Sequence, residues 1–302
     1  MSPDSTPSQT PISGVWLPIV TPFLGGEVDF DSYEGLLGYY LSQGVSGVIP
    51  LGTTGESPAI EPYEAEALID LTLDVVDGRA PVFVGIGGNS TRKVTQMIRR
   101  LERYSFQGIL SVCPYYNRPS EAGIQEHFRE IARSTDRSVL IYNIPYRTGV
   151  NLSNDAALQL SEIPNIVGIK DSCANLGQTL DLILRKPPGF SVMTGEDALL
   201  YTTLMHGGDG GILASAHYRP DLFQTVFRAI LANDHLGARA VWETLEPAVR
   251  LLFKEPNPMP LKHWLWREGL IRSPECRLPL TRVSDSLAEQ IDRLANSRQA
   301  AA

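Results

Sequence analysis

The stretch "NIVGIKDS" (residues 165–172) decides how the rest of the chain is read. Ile166, Val167 and Ile169 are apolar and β-branched, with Gly168 among them and no polar residue alternating. Such a run fits a short strand buried on both faces, as in a parallel sheet covered by helices. Lys170 stands on its last step, where an ammonium group is expensive to desolvate. The fold depends on whether other strands of the same kind surround it.

Seven more apolar runs of strand length do. They are "VWLPIV" (15–20), "GVIPLG" (47–52), "PVFVGIG" (81–87), "GILSVCP" (108–114), "SVLIYNIP" (138–145), "FSVMTG" (190–195) and "GGILAS" (210–215). They recur every 20 to 35 residues or so, about the size of a βα unit. Amphipathic stretches lie between them. "DFDSYEGLLGYYLSQG" opens on an Asp/Ser cap signal and stops at Gly44, and "EPYEAEALIDLTLDVVDG" carries Pro62 in its first turn and Gly78 as a stop. "STRKVTQMIRRLERYS" and "SEAGIQEHFREIARST" show apolar residues at helical spacing. Eight units predict an α/β fold closed into a (β/α)8 TIM barrel over residues 12–230. A doubly wound open sheet is the competitor, and the count of eight favours closure. After residue 230 the strands stop, and "DHLGARAVWETLEPAVRLLFKE", "MPLKHWLWREGL" and "SDSLAEQIDRLANS" predict a C-terminal helical extension over 231–302. Residues 1–11, rich in Ser, Thr and Pro, are expected to be a disordered tail.

The bulk numbers exclude some functions. A chain of 302 residues with 43% hydrophobic content can bury a large core. Its formal charge of −8 argues against a nucleic-acid binder or an anionic-membrane binder, although a local pocket for a small acid can still be positive. Cys113, Cys173 and Cys276 are odd in number and widely spaced, which suggests reduced thiols and a cytoplasmic home. They form no Cys/His cluster, so no metal site is expected. No apolar run reaches the roughly 18 residues that span a bilayer, and the N-terminus lacks a signal-peptide pattern.

In a barrel of this kind, chemistry gathers where the strands end and the βα loops converge. Those ends carry "LGTTGESP" (51–58), "CPYYNRPS" (113–120), "YNIPYRTG" (142–149), Lys170 and "TGED" (194–197). They aim Thr53, Thr54, Tyr116, Tyr142, Arg147 and Lys170 at one mouth. Burial lowers an amine's pKa, and a neutral amine can attack a ketone to form a Schiff base. The alternative is a structural lysine paired with Asp171 or Glu196, and pattern alone leaves both open. Among the other lysines, Lys93 and Lys186 read as solvated, and Lys262, at the start of an aromatic helix, is expected to snorkel. Gly52 and Gly55 would let backbone amides approach an anion. Without a P-loop lysine that anion is expected to be a carboxylate, or else the loop is an ordinary tight turn. Tyr116 and Tyr142 suit proton relay, whereas Tyr115, Tyr146 and Tyr201 are expected only to pack. Arg147, on a loop, could clamp a substrate carboxylate. His206 and His217 read as structural or surface groups, and Asp29, Asp31 and Glu34 as a solvated helix start.

Five motifs occur in order: "GTTGES", "PYYNRPS", "YNIPYRTG", "GIKDS" and "EPNPMPLK". On these the chain resembles the dihydrodipicolinate synthase / N-acetylneuraminate lyase family of Schiff-base pyruvate aldolases, from about residue 12 to 296. The resemblance implies that Lys170 condenses with pyruvate and that Tyr142 moves protons beside it. It also implies that Thr53 relays between Tyr142 and Tyr116, and that Tyr116 is donated across a subunit interface of a homodimer or homotetramer. By the same resemblance the Thr53 and Thr54 amides cradle the pyruvate carboxylate, Gly195 and Ile212 line the pocket, and no metal or organic cofactor is needed. Arg147 matches the arginine that would hold the carboxylate of aspartate semialdehyde, the second substrate of the synthases. The alternatives are another pyruvate aldolase, acting on 4-hydroxy-2-oxoglutarate, a deoxy-sugar acid or N-acetylneuraminate, and a non-catalytic keto-acid binder. Two features depart from the synthase pattern: "DS" follows the lysine where Glu-Ala-Thr is usual, and Tyr146 fills a slot that is usually smaller. Asn89 and Tyr115 of the family's lysine-effector site are kept, but Lys93 would repel a lysine ligand, so feedback by lysine is expected to be weak or absent.

Overall fold

Eight parallel strands form the framework of the protein. The structure, a computed structural model, describes residues 12–299, so the expected tail at 1–11 lies outside the described residues. The strands are β1 Gly14–Leu17, β2 Gly47–Val48, β3 Phe83–Gly85, β4 Gly108–Val112, β5 Ser138–Asn143, β6 Ile166–Asp171, β7 Ser191–Thr194 and β8 Gly210–Ile212. Their order around the sheet is β2-β1-β8-β7-β6-β5-β4-β3. The two ends meet in a parallel bridge between Val48 and Val82, flanked by Val48 N–H to the Pro81 carbonyl at 3.1 Å and Gly85 N–H to the Pro50 carbonyl at 2.9 Å. The sheet is therefore a closed barrel, not a doubly wound open sheet. Several strands are shorter than their apolar runs. Pro18 and Pro50 sit inside the first two runs and have no N–H to give to a ladder.

The capping signals act where they stand in the sequence. Asp29 caps the helix Phe30–Ser42 by accepting from Ser32 N–H at 3.1 Å. Ser120 caps Glu121–Arg133, and Ser90 precedes Thr91–Leu101. Pro62 opens the helix Pro62–Val76, and left-handed Asp77 ends it just before Gly78. After the barrel come helices His235–Leu252, Met259–Arg267 and Asp285–Gln299. A small hairpin, Phe23–Leu24 with Glu27–Val28, turns on Gly25-Gly26. No helix among the described residues is long and apolar enough to cross a membrane.

Two apolar cores explain why the strands are apolar on both faces. Trp16, Ile49, Phe83, Leu110, Leu140, Val167, Met193 and Ile212 fill the barrel interior. The alternate positions, among them Val15, Leu17, Ile141 and Ile169, pack outward against the helices. A register shift between β5 and β6 places Val167 inside, and Lys170 then pairs directly with Tyr142.

Three charged residues depart from expectation. Asp29 is not solvated: it is buried beneath Arg272, whose guanidinium holds its carboxyl down at about 2. Lys262 does not snorkel. It is fully buried against the Glu56 carboxylate, with its Nζ donating to the Glu275 carbonyl at 2.8 Å and lying 4.1 Å from the centre of the Phe23 ring. Lys186, read as solvated, is half-buried against Asp209.

Candidate active site

β6 delivers Lys170 to the top of the barrel interior, where only 6% of it remains exposed. Its Nζ lies 4.2 Å from the centre of the Tyr142 ring on the neighbouring strand. Burial lowers the amine from 10.5 to about 8, while the charges of Asp197 and Glu196 push back and Arg147 adds to the lowering. Neither Asp171 nor Glu196 forms a salt bridge with it among the described residues. Asp171 is committed elsewhere, accepting from Thr179 Oγ1 at 2.5 Å. The structural-lysine alternative therefore lacks its partner, and a neutral fraction of roughly a tenth is available at pH 7, rising to about half at pH 8.

Tyr142 is buried, and that burial pushes its phenol up to about 12, opposed by the Arg147 charge and by the facing hydroxyls of Thr53 and Ser172. At such a value the phenol stays protonated and works as a donor and relay, not as a standing base. Gly195, after β7, lies flat against the lysine: a Cβ there would stand 2.5 Å from Lys170 Cε and closer still to Ser172 Oγ. Lys170, Tyr142, Thr53, Thr54, Arg147, Gly195 and Ile212 all line one narrow cavity. Thr53, Tyr142 and Arg147 also line a wider adjoining cavity of about 230 Å³. The amine thus lines a narrow cavity that shares Thr53, Tyr142 and Arg147 with a larger one.

The loop after β2 supplies the floor. Gly55 N–H closes on the Gly52 carbonyl and Glu56 N–H on the Thr53 carbonyl, both at 3.1 Å. Among the described residues, neither the Thr53 nor the Thr54 amide donates to another group. Gly55 is tight, since a Cβ would meet the Ile19 carbonyl at 3.1 Å. At Gly52 a Cβ would only touch Pro18 Cβ at 4.0 Å. The left-handed residues of this loop are Leu51 and Glu56, not its glycines.

Arg147 lies not on a loop but in the one-turn helix Pro145–Thr148, started by Pro145 and stopped by left-handed Gly149. Tyr146 and Tyr115 do more than pack: Tyr146 lines the lysine cavity and Tyr115 the wider one. Tyr201 does pack against the outer core. Tyr116 is not brought to Lys170 within the chain. It projects from the β4 loop, 88% exposed, with a left-handed φ of 72° that is strained for a bulky residue. Of the two histidines, His206 is exposed, and His217 is buried with its Nδ1 on the Ala214 carbonyl at 2.8 Å. No cluster of potential metal ligands occurs among the described residues.

Two pocket groups, Asp197 and Asn257, lie beyond the sequence reading, and Glu196, read there only as a possible partner of Lys170, stands next to Asp197. Asp197 is buried in the lysine cavity, held by Ser215 N–H at 2.6 Å and Ser215 Oγ at 2.7 Å, and burial raises it to about 6. Glu196 beside it is raised to about 7 by burial and by the Asp197 charge. Asn257, between two C-terminal helices, donates to Thr54 Oγ1 at 2.9 Å. The "TGED" ending on β7 was a usable signal for the two acids. Nothing local marks Asn257 apart from its place in "EPNPMPLK".

A desolvated lysine at the mouth of a (β/α)8 barrel, with a phenol beside it and an arginine facing the same cleft, defines a class I, Schiff-base-forming lyase or synthase. Comparison with known proteins makes this specific: the "Dihydrodipicolinate synthetase family" profile matches residues 11–298, and the chain belongs to that family. It is 47% identical, over 93% of this chain and 99% of the relative, to 4-hydroxy-tetrahydrodipicolinate synthase 2 of Clostridium acetobutylicum. The crystal structure of dihydrodipicolinate synthase from Thermotoga maritima superposes with a TM-score of 0.92 at 36% identity, covering 96% of this chain and 99% of that one. The chloride-inhibited synthase from Acinetobacter baumannii, complexed with pyruvate, gives 0.91 at 34% identity, covering 95% and 98%.

Proposed function

We propose that this chain condenses pyruvate with aspartate semialdehyde in the manner of a 4-hydroxy-tetrahydrodipicolinate synthase. The observation that carries the proposal is the Lys170 amine, brought to about 8 and held against Tyr142 in a cleft lined by Thr53 and Arg147. The neutral amine adds to the ketone carbon of pyruvate. Tyr142 passes a proton to the departing hydroxyl, water leaves, and an iminium remains on Lys170. The iminium draws electrons from the adjacent methyl group, which loses a proton to give an enamine. The enamine carbon bonds to the aldehyde carbon, and the aldehyde oxygen takes up a proton. The amino group of the semialdehyde can then add to the iminium carbon and release Lys170.

The unspent Thr53 and Thr54 amides would hold the pyruvate carboxylate, with Gly195 and Ile212 flanking the lysine. Arg147 would receive the carboxylate of the aldehyde in the wider part of the cleft. Tyr116, strained and exposed on its own subunit, would complete the relay through Thr53 in a second subunit, which makes the working unit a homodimer or a larger assembly. Mixing Tyr116→Phe with Lys170→Ala tests this. One site of each hybrid dimer is then intact, so about a quarter of wild-type activity returns if the tyrosine acts across the interface. No recovery on mixing rejects the donation.

The reaction is tested by incubating the enzyme with pyruvate and cyanoborohydride. A stable mass on Lys170 is expected, and none in Lys170→Ala. Addition of aspartate semialdehyde before the reductant should discharge the bound enamine. Discharge by a hydroxylated aldehyde alone would assign a different pyruvate aldolase, a reading favoured by the bulk that Tyr146 brings to the cleft. Binding of pyruvate without turnover of any aldehyde would identify a non-catalytic binder.

A further inference from the structure

The pair Lys262–Glu56 is buried completely on both sides, 0% and 1% exposed, and neither residue lines the cavity at Lys170. A buried ion pair is a poor source of stability, because desolvation offsets most of its attraction. Its location is more informative than its energy. Glu56 ends the loop that carries Thr53 and Thr54, and its backbone is left-handed at φ 54°, ψ 37°. For a residue with a Cβ that conformation costs about 1–3 kcal/mol and persists only where neighbours enforce it. The neighbours here act on the side chain. Lys262 contacts Oε1, and Arg277 N–H donates to Oε2 at 3.0 Å. Arg277 is itself anchored by its guanidinium to both oxygens of Glu64, at 2.6 Å each. The Glu56 N–H then closes back on the Thr53 carbonyl, so the twist at residue 56 and the direction of the two threonine amides are set together. The same C-terminal segment grips the loop a second time through Asn257 and Thr54.

We infer that Lys262 and Glu56 are positioning residues: the buried pair locks the left-handed turn at Glu56 and thereby aims the Thr53 and Thr54 amides at the carboxylate of the keto acid. The inference rests on the Schiff-base reading above. The competing role for the pair is to fasten the C-terminal helices to the barrel without steering the loop.

The test uses two probes of Lys170 on the intact enzyme, pyruvate and acetaldehyde, each trapped with cyanoborohydride. Acetaldehyde has no carboxylate, so it reports the amine without the cradle. In Glu56→Gln/Lys262→Met no buried charge is left unpaired, but the ionic arm of the lock is gone. Labelling by pyruvate is expected to slow by roughly 10- to 100-fold, with a raised KM for pyruvate, while labelling by acetaldehyde keeps its wild-type rate. In Glu56→Gly/Lys262→Met the left-handed turn is open to glycine without strain, and part of the pyruvate rate should return. The inference is overturned if both probes label as in wild type, if both slow together, or if neither double variant folds. A wild-type enzyme that neither probe labels would instead sink the Schiff-base reading and leave the pair unconnected to it.

Discussion

Gly195→Ala is a one-carbon change whose effect can be worked out from the site. The added Cβ would stand 2.5 Å from Lys170 Cε. Carbon atoms in contact settle at about 3.5–4.0 Å, so the lysine tip must retreat by roughly 1 Å. Ser172 Oγ would stand closer still, so the new methyl is crowded by both side chains. Overpacking of this kind costs about 1–3 kcal/mol, well within the stability of about 5–15 kcal/mol typical of a folded domain, so the variant should still fold. A displacement of that size at a reacting atom costs roughly 10²-fold in rate. The assay is the rate at which pyruvate and cyanoborohydride add mass to Lys170, followed by mass spectrometry beside a thermal melt. Gly35→Ala, where a Cβ meets nothing within 4 Å, is the control and should label at the wild-type rate. A folded Gly195→Ala protein that labels as fast as wild type would show that the glycine does not set the position of the amine.

Other expectations concern charge. Iminium formation should rise with pH through a midpoint near 8, and a rise that continues to 10.5 would mean the amine is not desolvated. Because the folded-state value lies below the unfolded one, the native protein binds fewer protons across that window, so stability should climb from pH 8 to 10.5. Lys170→Met should flatten that climb in denaturant titrations at several pH values. Arg147→Ala should raise KM for aspartate semialdehyde about 10- to 100-fold, the worth of a charge-assisted hydrogen bond, and slow pyruvate labelling far less, by no more than the lost contribution of its charge to the lowering of Lys170; equal loss of both would place the arginine elsewhere in the reaction. Millimolar lysine should leave the steady-state rate nearly unchanged, since Lys93 lines the cavity that also contains Asn89 and Tyr115; strong inhibition would overturn that reading.

The legible parts of this protein were those whose causes are local. A strand buried on both faces must be apolar throughout, so "NIVGIKDS" and its seven counterparts announced themselves, and the capping residue Asp29 marked a helix start. Lys170 was legible because it broke such a run. The helical turn at Arg147 escapes a sequence reading because Pro145 and Gly149 bracket a single turn, a unit too short for any periodicity to show. Lys262 was misread for a different reason. Nothing within a few residues explains its burial; its counter-charge is Glu56, brought to it only when the C-terminal helices close over the barrel. Asp197 and Asn257 escaped for the same reason, since their partners Ser215 and Thr54 are distant in sequence.

The seam between β2 and β3 is laced more thinly than the rest of the wall. Pro50 and Pro81 offer carbonyls there and have no amide hydrogens to return, so one isolated bridge stands where β5 and β6 share a five-pair ladder. Solvent deuterium should therefore reach the Val48 and Gly85 amides long before those of Ile141 and Ile169. Breathing at this crack would loosen the threonine loop first, so that on warming the enzyme should fall silent before the body of the barrel comes apart.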